Sequence, residues 1–351
     1  MVKSSIEIAP LDRDVWRTIV DGAADAVTPF QLPEWLDYQL ASIPRSFDAS
    51  LQFRMADGSV AALSLIGLRH SLGRVSYWSL AHDEYGGLLA QRGLQHSELE
   101  WIYEWLARER RPVRVTTGPS TVDERWRPLP PWRRHHGSCH VLALPASYDV
   151  WFDGIAKTSC RRDIRRASRS NLRVSRAGSE RDLESYYEVY LSSTARWGKV
   201  AKPGSYFSSL LSCPITRLYI VYRDDRPAAG MFVLVSRDSG FYYLGATNLD
   251  FSAYCPADLG IAEIVRDCIA AGCRSLNLGA SMGRSELERF KEKIGARKQE
   301  FCSYDVPTPT TLLAEYAHYY RTRLTERARG LAAGVRQPAG SRRHMPSASH
   351  T

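Results

Sequence analysis

Residues 217–235 read RLYIVYRDDRPAAGMFVLV and predict two β-strands joined by a tight turn. Residues 217–222 and 228–235 are apolar runs, and the DDRP sequence between them is a typical turn signal. The aromatic run at 241–245 predicts a third strand. The same region therefore predicts an antiparallel three-stranded meander.

A helix and a closing strand follow this meander. Apolar side chains at 261, 264, 265 and 268 share one face of a helix predicted over about 258–271. Residues 274–278 then predict a strand that returns parallel to the third one. Such a crossover leaves a cleft where the neighbouring strands separate.

The first half of the chain repeats this order of elements without repeating the residues. The corresponding strands, turn and helix are predicted at 51–55, 57–58, 60–68, 75–80, 97–110 and 112–116. We therefore predict an α/β fold with α+β mixed sheets and two tandem units, at 1–145 and 146–305. The second unit begins with a helical connection at about 151–197. A C-terminal helix at 306–330 and a disordered basic tail at 331–351 complete the prediction.

Composition bounds the class of protein. The 351 residues carry 47 lysines and arginines against 38 acidic residues, a formal net charge of +9. This excess makes a polyanionic partner plausible, although a solvated basic surface explains it equally well. No apolar run is long enough to span a membrane and no signal segment is visible, so we expect a cytoplasmic protein. The seven cysteines form no CxxC pair and are expected to be reduced.

Five segments, in this order, resemble the Fem-like aminoacyltransferases, which are built from two Gcn5-related N-acetyltransferase (GNAT) units. They are TPFQLPEW at 28–35, DEYGGL at 83–88, the arginine-rich 161–169, YLGA with CP at 243–246 and 255–256, and LG with LERFK and IG between 278 and 295. Each motif is weak alone, but their order and spacing over residues 28–301 are fairly specific. The resemblance implies that both predicted units are GNAT-like domains.

The resemblance also implies an activity and a reaction centre. Fem-like enzymes transfer an aminoacyl group from a charged tRNA to a free amine, with no other cofactor. Their Phe-Lys pair corresponds to Phe290 and Lys291. An amine that attacks an ester builds an oxyanion, which a nearby ammonium stabilises. Lys291 is one of only seven lysines, three of which fall at 291–298, in a chain where arginine is the usual cation.

Further site residues are predicted around this pair. Asp83, Glu84, Tyr85, Trp35 and Tyr254 are candidates for substrate binding, because they lie in motifs that could border the cleft. Arg161, Arg162, Arg165 and Arg166 are candidates for the phosphates of the donor or tRNA, since guanidinium binds phosphate with two parallel hydrogen bonds. The same arginines could instead form a solvated helix face. No general base is identified; Asp83, Glu84 and Asp258 remain candidates.

Two departures from the family concern the acceptor. Muropeptide ligases of the family carry a lysine just after the early tryptophan, whereas Trp35 is followed by LDYQ, and no basic residue lies between Trp35 and Arg45. The chain also has no long coiled-coil insertion. A nucleotide-linked cell-wall precursor is therefore a poor candidate, and a peptide or small-molecule amine fits better.

Two other functions stay open. An acyl-CoA-dependent N-acyltransferase would share the fold, but the crossover helix opens with YCPADLG at 254–260 instead of a glycine-rich pyrophosphate loop, and its Asp258 opposes phosphate. A non-catalytic RNA-binding or scaffold protein is the third possibility. No metal is expected: His135, His136, Cys139 and His140 form one local group without a second ligand pair at zinc spacing. The sequence does not indicate an oligomeric state.

Overall fold

The computed structural model describes residues 6–80, 85–119 and 130–309. The predicted C-terminal helix and tail fall almost entirely outside these ranges. The described strands are β1 (Glu7–Pro10), β2 (Ser46–Asp48), β3 (Leu51–Arg54), β4 (Val60–Leu63), β5 (Ile66–Arg69), β6 (Val75–Trp78), β7 (Leu88–Ala90), β8 (Val113–Thr116), β9 (Arg133–Ala143), β10 (Leu172–Ala177), β11 (Thr216–Arg223), β12 (Arg226–Val235), β13 (Ser239–Thr247), β14 (Ser275–Asn277) and β15 (Arg297–Val306).

The helices cover both halves of the chain. They are α1 (Arg13–Gly22), α2 (Pro33–Ser42), α3 (His96–Glu109), α4 (Tyr148–Val150), α5 (Thr158–Ser168), α6 (Glu180–Arg196), α7 (Gly204–Ser212), α8 (Pro256–Ala270) and α9 (Ser285–Lys293). A π-helical turn at Trp151–Ile155 continues α4. None of the described helices is long and apolar enough to cross a membrane.

The second half has the predicted topology. Strands β11, β12 and β13 form an antiparallel meander, α8 crosses over, and β14 returns parallel to β13. Helix α8 buries the predicted apolar face, including Ile261, Ile264 and Val265. The fold is therefore a mixed α/β arrangement with mixed sheets, as predicted.

The first half has three strands that were not predicted, β1, β2 and β7, and one predicted strand is divided in two. The single strand predicted at 60–68 is wrong: β4 belongs to a four-stranded sheet of order β1-β3-β4-β7, and β5 belongs to an eleven-stranded sheet. The chain changes sheets at Ser64 and Leu65, where the Ser50 hydroxyl accepts a hydrogen bond from the Leu65 amide. Because both segments are mostly buried, no alternation of polar residues marks this break. The parallel pairing of β6 with β8 follows the prediction.

Two strands that the sequence did not predict join the halves. The order of the large sheet is β10-β11-β12-β13-β14-β9-β15-β8-β6-β5-β2, so β9 and β15 lie between the two meanders. Residues 135–140, where no strand was predicted, belong to β9 and pair with β15. The domain boundary predicted after residue 145 stays a prediction, since the sheet continues without interruption on both sides of it.

Candidate active site

A cleft opens where β13 and β14 separate. The two strands pair over only three residues, ending with Phe241 opposite Asn277. Strand β13 continues for six more residues to Thr247. The segment that follows β14 turns away from it at Gly279, whose φ is +70°. The backbone groups facing this gap are not used by the β13–β14 ladder. The gap is therefore where this fold can admit a substrate.

Lys291 reaches the edge of the cleft from α9. Its side chain is buried, with 6% of the residue exposed, and Nζ donates hydrogen bonds to the carbonyl oxygens of Gly279 (2.8 Å) and Ala280 (3.0 Å). An ammonium group has three N–H donors, and among the described residues only two of these are used, so one remains for another partner. Burial lowers the pKa of Lys291 to about 8. The group is thus a cation held in a defined place with its charge poorly solvated.

The turn after α9 fixes the position of this lysine. Gly295 has φ of +97°, and a Cβ there would lie 2.5 Å from a side-chain carbon of Ile155. The indole of Trp151 donates to the carbonyl oxygen of Ile294 at 2.9 Å, and the amide of Lys157 donates to that of Lys293 at 2.9 Å. These contacts hold the end of α9 against the 151–157 segment. The positive φ and the close approach of Ile155 explain why the residue at position 295 is a glycine.

Phe290 is half-buried and packs against the apolar cluster between α5, α8 and the sheet. The ammonium of Lys293 lies 5.3 Å from the centre of its ring. Phe290 therefore anchors α9, and its predicted catalytic contribution stays a prediction.

Tyr85 brings the first half of the chain into the same site. Its buried hydroxyl lies beside the side chains of Cys139 and Asn277, and burial raises its pKa strongly. Its ring packs edge-on against Phe241 and Phe301. Cys139 in turn is close enough to Lys291 for the ammonium to lower the pKa of the thiol, although burial raises it overall. Tyr85 and Lys291, which come from two separate sequence motifs, therefore both lie near Cys139.

The neighbouring predicted residues are placed differently. Asp83 and Glu84 lie outside the described residues. Trp35 is fully buried in an aromatic cluster with Phe30 and Tyr243, so it shapes the core behind the cleft. The ring of Tyr254 is covered by the guanidinium of Arg223 at 3.7 Å. Substrate binding by these four residues stays a prediction.

Two acidic residues lie where the fold could have bound phosphate: Asp258 in the first turn of α8, and Asp163 on α5. Lys293 Nζ lies 2.6 Å from a carboxylate oxygen of Asp258 and 3.0 Å from one of Asp163. Asp258 is buried, which raises its pKa even though Lys293 opposes the shift. With its carboxylate held in this ion pair, Asp258 is a poor candidate for the general base.

Cys255, Asp163 and Asp258 are the one group of potential metal ligands found within the described ranges. The Lys293 ammonium already binds both carboxylates there. The histidines considered earlier do not converge, because β9 is extended and His135 pairs with Asp305 while His140 is buried further along the strand.

The predicted arginines lie on α5 with unequal freedom. Arg161 donates to the carbonyl oxygen of Asp153 at 2.6 Å and to the Thr158 hydroxyl at 3.2 Å. Arg162 contacts Asp163 at 3.3 Å, and Arg165 lies over the ring of Phe152. Arg162, Arg165 and Arg166 are exposed, whereas Arg161 is half-buried. The helix therefore presents a basic surface. Arg161 is the least available of the four arginines, because its guanidinium is hydrogen-bonded to neighbouring residues of the protein.

Sequence reasoning missed several members of the site. Lys293 was not predicted as a site residue, but its side chain is mostly buried and lies between two carboxylates. Cys139 and Asn277 were not identified as site residues, and no local motif marks them. A signal did exist for Lys293, because three lysines fall within eight residues of an arginine-rich chain.

Comparisons with known proteins agree with this architecture. Residues 156–292 match the sequence profile of the Acetyltransferase (GNAT) domain. The structure of FemX superimposes with a TM-score of 0.70 at 11% identity, covering 87% of this chain and 98% of FemX. The C-terminal domain of a putative lysylphosphatidylglycerol synthetase from Agrobacterium fabrum gives 0.54 at 12% identity, with 86% and 96% coverage.

A third structure, L-PGS from Bacillus licheniformis, gives a TM-score of 0.51 at 11% identity, covering 86% of this chain and 95% of that one. No curated protein sequence matches the chain. The predicted resemblance is thus confirmed for the fold: the chain has the Fem-like double-GNAT fold, and residues 156–292 of its second half match the GNAT domain profile.

Proposed function

We propose that this protein is an aminoacyltransferase that takes an aminoacyl group from aminoacyl-tRNA and forms an amide bond with a peptide or small-molecule amine. The acidic first turn of α8 is the observation that carries the choice of donor. Enzymes of this fold that use coenzyme A bind its pyrophosphate at the start of the crossover helix, as the family resemblance implies. In this chain Asp258 and Lys293 fill that turn with an ion pair.

Coenzyme A binding would have to break this ion pair. A diphosphate beside the buried carboxylates of Asp258 and Asp163 would meet like charge at short range, which costs free energy. Removing Lys293 from them would leave the buried Asp258 carboxylate without its cation and Asp163 with only its contact to Arg162. The start of α8 therefore supports a donor whose phosphates are bound elsewhere.

Lys291 provides the catalytic part of the proposal. The attacking amine forms a C–N bond with the ester carbonyl carbon, and negative charge develops on the carbonyl oxygen. Two N–H groups of Lys291 are engaged by Gly279 and Ala280, so the remaining donor is directed away from them. A preorganised cation in a poorly solvated site contributes about 10²–10³-fold to such a step. The C–O bond then breaks and the ribose hydroxyl leaves with a proton.

The exposed arginines of α5 support an RNA donor. Arg162, Arg165 and Arg166 lie on the helix whose Asp163 binds Lys293, so they are on the element next to the start of α8. Three guanidinium groups on one helix suit the spaced phosphates of an RNA backbone. Arg161 is the weakest of the four candidates, because its side chain is bound to backbone oxygens.

An acyl-CoA-dependent N-acyltransferase remains the second candidate, favoured by the match of residues 156–292 to the GNAT domain. A non-catalytic scaffold is less well supported, because a buried lysine is costly to retain without a task for its charge. To separate these functions, the protein is incubated with a panel of amines and either charged tRNA or acyl-CoA, with and without RNase. We expect amide product only with charged tRNA and none after RNase. Product that requires acyl-CoA and survives RNase would overturn the proposal.

A further inference from the structure

A second concave site lies at the far end of β13, away from Lys291. It is a pocket of about 430 Å³ between α6 and the loop after β13. Thr247, the last residue of β13, lies six residues beyond the strand's last pairing with β14, or roughly 20 Å along an extended chain. The pocket is therefore separate from the catalytic part of the cleft.

The pocket has one cation and one anion on each wall. Helix α6 contributes Glu188 and Arg196, and the opposite wall contributes Arg226 and Asp250. In the part of the chain that the structure describes, no ion pair joins these four side chains to each other or to other charged groups. Opposite charges that face the same volume without pairing are free to bind a ligand that carries both signs.

Both guanidinium groups are nevertheless held in place by uncharged contacts. Arg226 lies over the ring of Phe251, 5.0 Å from its centre, and Arg196 donates to the carbonyl oxygen of Thr247 at 3.4 Å. The Ser193 hydroxyl donates to the same oxygen at 3.2 Å and ties α6 to the end of β13. The two walls thus have a fixed separation, which lowers the entropic cost of binding.

The remaining lining sets the size and polarity of the ligand. Leu249 is 54% exposed at the mouth, an unusual position for a large apolar side chain, and Val189 lines the same volume. Asn248 adds an amide group, with its oxygen already accepting from the Asp250 amide at 3.1 Å. A volume of this size suits a small molecule with one short apolar group.

We propose that this pocket is a binding site for a free α-amino acid with an apolar side chain. Arg196 and Arg226 bind the carboxylate, Glu188 and Asp250 bind the ammonium, and the side chain lies against Leu249. An ammonium between two carboxylates stays protonated and is a poor nucleophile, so an amino acid bound here is not the acceptor of the transfer reaction. The site adds a ligand to the protein and does not depend on the proposed function.

Binding of leucine to the full-length protein tests the proposal by isothermal titration or saturation-transfer NMR. The comparison ligands are N-acetyl-leucine, which lacks the ammonium, and leucinamide, which lacks the carboxylate. We expect leucine to bind and both derivatives to bind at least five-fold more weakly. Equal binding of all three, or no detectable binding of leucine at millimolar concentration, would overturn the proposal.

Variants assign the binding to the pocket. Arg226→Gln and Glu188→Gln should each weaken leucine binding at least five-fold at unchanged melting temperature. Arg181→Gln is the matched control, because Arg181 is an exposed arginine of the same helix outside the pocket. Lys291→Met should bind leucine normally. Equal loss in the Arg181 control, or loss of binding in Lys291→Met, would contradict a separate site at the end of β13.

Discussion

The ammonium of Lys293 lies 2.6 Å from the carboxylate of Asp258, in the first turn of the crossover helix. Lys291 lies two residues before Lys293 on α9, where it donates to two backbone carbonyl oxygens at the cleft and forms no ion pair with a carboxylate of the described residues. One lysine stabilises the fold and the other has a donor free for substrate. This difference leads to opposite predictions for two chemically matched substitutions.

Lys291→Met should remove activity without unfolding the protein. The substitution keeps the apolar stem and deletes the cation, so we expect transfer to fall at least ~100-fold. The melting temperature should change little, because the variant no longer buries an ammonium group. Steady-state rates and thermal denaturation of the same preparations provide the check. Turnover like that of the wild type would show that Lys291 is not at the reaction centre.

Lys293→Met should do the reverse. It leaves the carboxylates of Asp163 and Asp258 without their shared partner, and breaking a buried pair costs about 3 kcal/mol in free energy of unfolding. Urea denaturation at neutral pH measures this loss. The double variant Lys293→Met with Asp258→Asn should recover part of it, because one buried charge is removed. Unchanged stability in the single variant would mean that the ion pair is solvated and weak.

Activity should depend on the charge of Lys291. Burial lowers its pKa from 10.5 to about 8, so the ammonium is present below this pH and is lost above it. With saturating amine, the rate should decline as pH rises through about 8, and this decline should be absent from the residual activity of Lys291→Met. A rate that rises across this interval would indicate that the neutral lysine acts as a base.

Stability should change in the opposite direction over the same pH range. Between about 8 and 10.5 the unfolded chain binds a proton at Lys291 that the folded chain does not, so the free energy of unfolding should rise with pH. Lys291→Met should show a smaller rise. Denaturation curves at several pH values measure the difference between the two proteins. An identical pH dependence of the two proteins would indicate that Lys291 is exposed to solvent in the folded state.

Tyr85→Phe tests whether the two halves of the chain share one site. The substitution removes the buried hydroxyl beside Cys139 and Asn277 and leaves the aromatic packing intact. Loss of a buried polar contact of this kind costs about 1 kcal/mol in stability. We also expect the transfer rate to fall, because Asn277 precedes the Gly279–Ala280 segment that binds Lys291 and accepts a hydrogen bond from the Gly279 amide. A stability loss without any change in rate would restrict Tyr85 to the core.

Donor binding should weaken with salt if the arginines of α5 contact RNA. The logarithm of the affinity falls linearly with the logarithm of salt concentration, with a slope that scales with the number of phosphates contacted. Arg165→Gln combined with Arg166→Gln should make this slope shallower by about two. Arg173→Gln, on neighbouring β10, serves as a control. A slope unaffected by the α5 substitutions would indicate that these arginines form a solvated surface and do not contact RNA.

The sequence predicted the parts of the fold whose signals are local. The meander around residues 224–227 and the helix with Ile261 and Ile264 followed from periodicity and turn residues. The switch between β4 and β5 was invisible, because buried strands on both sides of Ser64 and Leu65 read as one apolar run. Strand β9 was missed because its polar residues gain their pairing from β15, more than 150 residues away.

The site was predictable only as far as its motifs reached. Lys291 and Tyr85 were identified through family motifs, and the structure brings both to Cys139. The pairing of Lys293 with Asp163 depends on two helices separated by 130 residues, which charge spacing along α9 does not reveal. The same limit applies to the pocket at the end of β13, whose walls come from distant parts of the chain.

The most direct test follows one labelled amino acid from tRNA to product. Aminoacyl-tRNA with a radiolabelled amino acid is mixed with excess wild-type protein and a panel of amines, and amide product is measured in a single turnover beside Lys291→Met and an acyl-CoA reaction. We expect labelled amide from the wild type with charged tRNA alone, and at least ~100-fold slower formation by Lys291→Met. Amide formed only from acyl-CoA, or formed equally fast by both proteins, would contradict the account.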